Sequence, residues 1–252
     1  MKRRCVMEAT VSGARKKLIA AAKRLRREVD ALSFAEPVTH VYNPLRYAWH
    51  AHELYLSRIN DDGVRVLLLG MNPGPWGMAQ TGVPFGEVNA VRDWIGINVP
   101  VKTPPKMHPK RPVLGFESER SEVSGRRLWG LFQERYPHPD EFFAEHFIAN
   151  YCPLVFMEQS ARNRTPDKLP LAERQLLDEA CQRHLTRVFH VLRPKIVVGV
   201  GAYAEKCLER TMDKAGYEAQ LARILHPSPA SPAANRDWAG TATKQFQDAG
   251  IW

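Results

Sequence analysis

The chain reads as an α/β protein, a three-layer α/β/α domain around a central four-stranded parallel sheet. Three observations predict it. Four short runs, Val64 to Leu69, His146 to Ala149, Lys195 to Val200 and Leu221 to Leu225, have the length and apolar content of buried strands. Each is separated from the next by enough chain for a crossover rather than a hairpin. Apolar residues at three- to four-residue steps mark helices over Gly125 to Tyr136 and Leu171 to Leu192, the latter through Leu177, Ala180, Leu185, Val188 and Val191. At 252 residues, 44% hydrophobic and 25% charged, with no internal repeat or low-complexity tract, the chain can bury one full core. A single domain over 33–252 is expected, preceded by a basic helical extension over 1–32 that packs on it.

That extension carries Lys2-Arg3-Arg4, Arg15-Lys16-Lys17 and Lys23-Arg24-Leu25-Arg26-Arg27 around small apolar groups. It reads either as a nucleic-acid or nuclear-import patch or as the solvated face of a packed helix. Glu8, Glu28 and Asp30 break the acid-poor pattern of a transit peptide. The balance of 36 Lys and Arg against 27 Asp and Glu, +9, favours a polyanionic partner without identifying one. No run approaches the ~20 apolar residues of a membrane span and no signal peptide is visible, so an intracellular protein is expected. Cys5, Cys152, Cys181 and Cys207 are scattered, without Cys-x-x-Cys or histidine at ligand spacing, which argues against a zinc or iron–sulfur site and for reduced thiols.

The first strand runs into Gly70-Met71-Asn72-Pro73-Gly74-Pro75-Trp76-Gly77-Met78-Ala79-Gln80-Thr81-Gly82, a polar, tightly bent loop. Ligands of open α/β sheets sit outside the carboxyl ends of the strands, which places Met71, Asn72, Gly74 and Gln80 to meet a substrate. A phosphate cradle is excluded. Neither Gly-x-x-x-x-Gly-Lys-Ser/Thr nor Gly-x-Gly-x-x-Gly is present, no lysine lies between Arg65 and Lys102, and Pro73 and Pro75 remove amide donors. Pro100 to Pro112 reads as an ordered surface loop.

The later strands end in Asn150-Tyr151-Cys152-Pro153, Gly199-Val200-Gly201 and His226-Pro227-Ser228-Pro229. Two asparagines, a glycine turn and a histidine thus converge on one rim of the sheet. No Asp or Glu lies in these loop starts, no lysine offers a Schiff-base amine, and Gly-x-Ser-x-Gly is missing. Asn, His, Phe and backbone amides suit a reaction with a positioned water as nucleophile and a leaving group held by hydrogen bonds.

The stretch from Gly70 through Phe85 to Val88, with His226-Pro227-Ser228-Pro229 and Asn235, closely resembles the single-strand-selective monofunctional uracil-DNA glycosylases. Matching segments run from Phe34-Ala35-Glu36-Pro37 and Tyr42-Asn43-Pro44 through Val91-Arg92-Asp93-Trp94, His108 to Gly115 and Ser121-Glu122-Val123-Ser124-Gly125 to the C-terminus. The resemblance implies the uracil-DNA glycosylase fold and hydrolysis of the N-glycosidic bond of uracil and oxidised 5-substituted uracils, leaving an abasic site in base excision repair. It implies no metal or organic cofactor, a monomer, and single- or double-stranded damaged DNA as partner, the nucleotide being flipped out of a duplex.

By position, Asn72 looks like the residue that orients the attacking water and His226 like the group that hydrogen-bonds uracil O2 as charge grows on the leaving base. Asn150 resembles the reader of the base edge, its oxygen accepting from N3–H and its nitrogen donating to O4. Phe85 would stack on the flipped base, Met71 would contact it, and Gly74 would leave room beside C5. Pro227, Ser228, Pro229, Ala230, Ser231 and Asn235 resemble the wedge that enters the duplex. Ser160, Arg162, Asn163, Arg164 and Thr165 resemble the loop that grips the backbone, the two arginines as phosphate ligands. Ala230-Ser231 departs from the bulkier or basic wedge of well-known members, which bears on flipping from duplex DNA. Two other readings stay open: the same fold acting on hypoxanthine or xanthine, and a non-catalytic DNA-binding module.

Overall fold

The computed structural model describes residues 13–252; Lys2-Arg3-Arg4, Cys5 and Glu8 lie outside the described residues. In chain order the elements are α1 (Gly13–Asp30), β1 (Val38–Tyr42), α2 (Pro44–Tyr47), α3 (Trp49–Leu56), β2 (Val66–Gly70), α4 (Met78–Thr81), α5 (Val123–Arg135) and α6 (Pro139–Glu145). They continue as β3 (His146–Asn150), β4 (Val155–Glu158), β5 (Asn163–Arg164), α7 (Leu171–Leu192), β6 (Ile196–Val200), α8 (Ala202–Ala215), β7 (Gln220–Ile224) and α9 (Pro232–Asp248).

The central sheet has four strands in the order β3-β2-β6-β7, every pair parallel. β2 and β6 are buried at every position, which requires cover on both faces and explains their unbroken aliphatic sequences. α8 packs on β6 and is backed by α7, while α9 packs along β7 and meets α5. Trp129, Phe132, Phe142 and Phe246 are fully buried and interlock, Trp129 and Phe142 edge-on with centroids 5.4 Å apart. A second sheet, β1-β4-β5, is antiparallel and was absent from the expected architecture. β1 alternates in burial and β5 is two residues long, whereas β4 carries an apolar run, Leu154 to Met157, that was not among the expected strands.

α1 lies against α7 through a stripe of Leu18, Ala21, Ala22, Leu25 and Val29. Burying each larger member is worth roughly 1.5–3 kcal/mol, whereas the surface pairs Arg24–Glu28 and Lys23–Glu53 contribute about 0–1 kcal/mol each. The apolar stripe therefore holds the helix, and the charges decorate it. Arg26 and Lys23 also lie over the Trp49 ring, at 5.0 and 5.3 Å. Pro100 to Pro112 is loop, tied down by Tyr42, whose hydroxyl donates to the Arg111 carbonyl and accepts from the His108 amide, both at 2.7 Å.

Candidate active site

Register brings the strand ends together. Gly70 faces Asn150 across the β2–β3 pair, and the pairing continues beyond both strands through Tyr151 N–H to Gly70 O and Cys152 N–H to Met71 O, each 2.9 Å. The loop that carries Asn72 is thus an extension of the sheet. Asn72 donates Nδ2 to the Leu154 carbonyl at 3.1 Å. A carbonyl can only accept, so the amide nitrogen must face Leu154 and Oδ1 is left as the acceptor available to a bound molecule.

Asn150 presents the complementary problem. Among the described residues its Nδ2 meets only the Met78 thioether, at 3.3 Å, and its buried Oδ1 has no hydrogen-bond partner. Such an orphan carbonyl costs stability unless a donor arrives. A Cβ at Gly70 would overlap this oxygen and the Phe85 ring, so glycine is required for both groups to sit where they do. Phe85 itself adopts φ 53°, an uncommon conformation for an aromatic residue, and Trp129 holds the neighbouring Pro84 carbonyl with an Nε1–H bond of 3.2 Å.

His226 follows β7. α9 secures the residue before it from both sides: Leu225 N–H donates to Gln245 Oε1 and its carbonyl accepts from Trp238 Nε1, each 2.7 Å. The imidazole centroid is 6.2 Å from that of Phe85. Burial holds its pKa below the ordinary value of 6.5, which favours the neutral ring, and that form can donate one N–H.

A cavity of about 310 Å³ is lined by Met71, Asn72, Gly74, Phe85, Asn150 and His226 together, with Asn163, Thr165 and Ser228 at its wall. Its size is at the lower end of the ~300–1,000 Å³ of small-ligand clefts. Asn163 lies in β5 and keeps a buried Oδ1 without a partner. Ser160 and Arg162 lie just before β5, the arginine exposed and without an ion pair among the described residues. Pro229 and Ala230 are exposed; Ser231 caps α9, accepting from Ala234 N–H at 3.4 Å, and Ser228 Oγ accepts from Ala230 N–H at 3.1 Å.

Four expectations need correction. Gln80 does not meet a substrate: it is 1% exposed, and its amide is used up by Pro75 O, Pro112 O, Leu114 N–H and Gly115 N–H. Gly74 does not leave open space, because a Cβ there would overlap both carboxyl oxygens of Glu122. Arg164 is held inside the fold by Glu158 at 3.0 Å and the Lys168 carbonyl at 2.6 Å, so it is not free for phosphate. Asn235 spans the wedge loop, donating to Pro229 O at 2.8 Å and accepting from Arg127 at 3.0 Å, and acts as a brace.

Two contributors escaped the sequence reading. Arg127 of α5 also donates to the carbonyls of Pro227 and Ser228, at 3.2 and 3.4 Å. Glu122, at the start of α5, lines the cavity and accepts from Trp76 N–H at 3.3 Å and from Gly77 N–H. Burial pushes its carboxyl up to about 7. The available signal was the Ser121 to Gly125 segment, but nothing in it says that the carboxyl crosses to the Gly70 loop.

Residues 56–248 match the family model described as the uracil DNA glycosylase superfamily. The chain is 49% identical over 228 residues to the single-strand selective monofunctional uracil DNA glycosylase of Mus musculus, covering 90% of this chain and 82% of the relative. The Bos taurus protein of the same name is 48% identical over 228 residues, covering 90% and 84%. The crystal structure of wild-type Pedobacter heparinus SMUG2 superposes with a TM-score of 0.66 at 16% identity, covering 92% of this chain and 99% of that one, which is a likeness of fold.

Proposed function

Because the chain belongs to the uracil-DNA glycosylase superfamily, we propose that it is a monofunctional DNA glycosylase that removes uracil and 5-substituted uracils from DNA by hydrolysis. One observation carries the assignment: the Asn72 acceptor, the neutral His226 donor and the orphan Asn150 carbonyl surround one cavity beside the Phe85 ring.

A flipped uracil stacks on Phe85 and presents N3–H to Asn150 Oδ1, while Nδ2 turns from the weak thioether of Met78 to O4. Cytosine reverses both demands and is refused. Asn72 Oδ1 accepts a hydrogen bond from water and aims its oxygen lone pair at C1′. An amide is a poor base, but a cleavage with an oxocarbenium-like sugar needs an oriented water more than a deprotonated one. As the C1′–N1 bond breaks, its electron pair goes to the departing base and His226 donates to O2 where charge collects; the water oxygen bonds C1′ and its surplus proton passes to the uracil anion or to solvent. Among the described residues no lysine lines the cavity to form a Schiff base with the sugar, which supports hydrolysis alone and an abasic product.

The protein acts as a monomer on bases in single strands and on bases flipped from duplexes, with Arg162 on phosphate and the Pro227 to Ser231 turn entering the stack. DNA carrying one labelled uracil, incubated with the protein and then treated with alkali, should break at that site. Intact strands, or breaks confined to hypoxanthine- or xanthine-containing DNA, would contradict the proposal.

A further inference from the structure

The residues assigned so far do not separate thymine from uracil. Asn150 reads an edge that thymine shares with uracil, and a glycine at position 74 raises no steric bar of its own. The position of Glu122 addresses this. Around a pyrimidine whose O2 meets His226 and whose N3 and O4 meet Asn150, the C5–C6 edge turns to the wall between Asn150 and Asn72. The cavity is lined there by Met71 to Gly74, and the Glu122 carboxyl lies against Gly74.

We propose that Glu122 is the specificity-determining residue for the 5-position: its carboxyl hydrogen-bonds a 5-hydroxymethyl group and confronts a 5-methyl group with a buried polar atom. The assignment rests on the glycosylase reading above. It has three supports. First, the carboxyl is built in rather than incidental, being fastened by the Trp76 and Gly77 amides and packed on a residue with no side chain. Second, a carboxylate offers about four acceptor sites, and the two amides leave capacity for a further donor. Third, it is the one acidic side chain lining the cavity among the described residues, and the functions of Asn72, Asn150 and His226 leave it without a task. The raised carboxyl pKa is compatible with this, since a hydroxyl both donates and accepts and can pair with either protonation state. A methyl group can pair with neither, and it would strip water from the carboxyl without replacing the lost hydrogen bond.

The test is the ratio of kcat/KM for 5-hydroxymethyluracil to that for uracil in the same single-stranded oligonucleotide, with thymine release measured alongside. In Glu122→Leu the ratio should fall about tenfold or more, and thymine release should rise relative to uracil release. Glu122→Gln should keep most of the preference, because its oxygen can hold the two loop amides while its NH₂ faces the substituent. Gly74→Ala reaches the same carboxyl from the opposite side; it should displace Glu122 and lower the ratio without changing residue 122. Ratios within twofold of the unaltered protein in both Glu122→Leu and Gly74→Ala, even with both rates reduced, would make Glu122 a loop brace and overturn the assignment. Should Glu122→Leu fail to fold, Gly74→Ala and Glu122→Gln decide by the same ratio. Release of neither base by the unaltered protein would overturn the glycosylase reading, and this assignment with it.

Discussion

Gly70 and Asn150 face one another across the β2–β3 pair, and the hydrogen that serves Gly70 as a side chain is what lets the Asn150 carboxamide and the Phe85 ring share the space beside it. Gly70→Ala is expected to fold, at a cost of about 1–3 kcal/mol for overpacking. Uracil release should fall about a hundredfold, because both the base-reading and the stacking groups move. Wild-type kinetics in a folded Gly70→Ala protein would show that neither group is held by this contact.

Asn150→Asp replaces the donor to O4 with a second acceptor. Uracil release should drop by about two orders of magnitude or more, and weak release of cytosine should appear, its N4–H₂ now meeting an acceptor. A base-release assay on paired uracil and cytosine oligonucleotides checks this; unchanged uracil release, with no cytosine product, would place Asn150 outside base reading.

Arg127 holds the turn after His226 from a different element. Arg127→Ala should loosen the wedge, costing about 1–2 kcal/mol more on duplex than on single-stranded substrate, since only the duplex requires a base to be pushed out. Measurement of kcat/KM on the two forms of one sequence tests it, and equal losses would limit Arg127 to a general stabilising role.

The Glu122 carboxyl has a stability signature with a definite sign. Its folded pKa of about 7 lies above the ordinary 4.5, so between those values the folded protein binds more protons than the unfolded chain and its stability falls as pH rises. Glu122→Gln removes that loss, and its advantage over the parent should be small near pH 5 and grow to on the order of 1–3 kcal/mol at pH 8. His52 and His146, held neutral by burial at about 4, act oppositely by favouring stability as pH rises from 4 to 6.5, but they are common to both proteins and cancel in the difference. Urea unfolding at pH 5 and pH 8 measures it; an advantage that widens towards acid would contradict the sign.

The parallel sheet was legible because strands covered on both faces are written as unbroken apolar runs; Ile196–Val200 lies within the run expected for it. α7 was legible to its ends, Leu171 and Leu192, because its apolar spacing persists over 22 residues. β1 and β5 were not, since their short, mixed sequences become strands only through pairing with β4, and β4 itself was passed over although Leu154 to Met157 is an apolar run. In the site, Asn72, Asn150 and His226 could be found by following strands to their carboxyl ends. Glu122 and Arg127 could not, because they reach the same rim from a helix whose placement is a tertiary fact. Gln80 failed for the converse reason: a polar residue in a polar loop reads as available until its four hydrogen-bond partners are known.

In the proposed reaction Asn72, pinned through Nδ2 to Leu154, aims the water that cleaves the glycosidic bond. Single-turnover release of uracil by Asn72→Ala, compared with binding of the same oligonucleotide, tests it most directly. The expected rate is about a hundredfold or more below that of the unaltered protein, with DNA affinity little changed. A cleavage rate within threefold of the unaltered protein would contradict it.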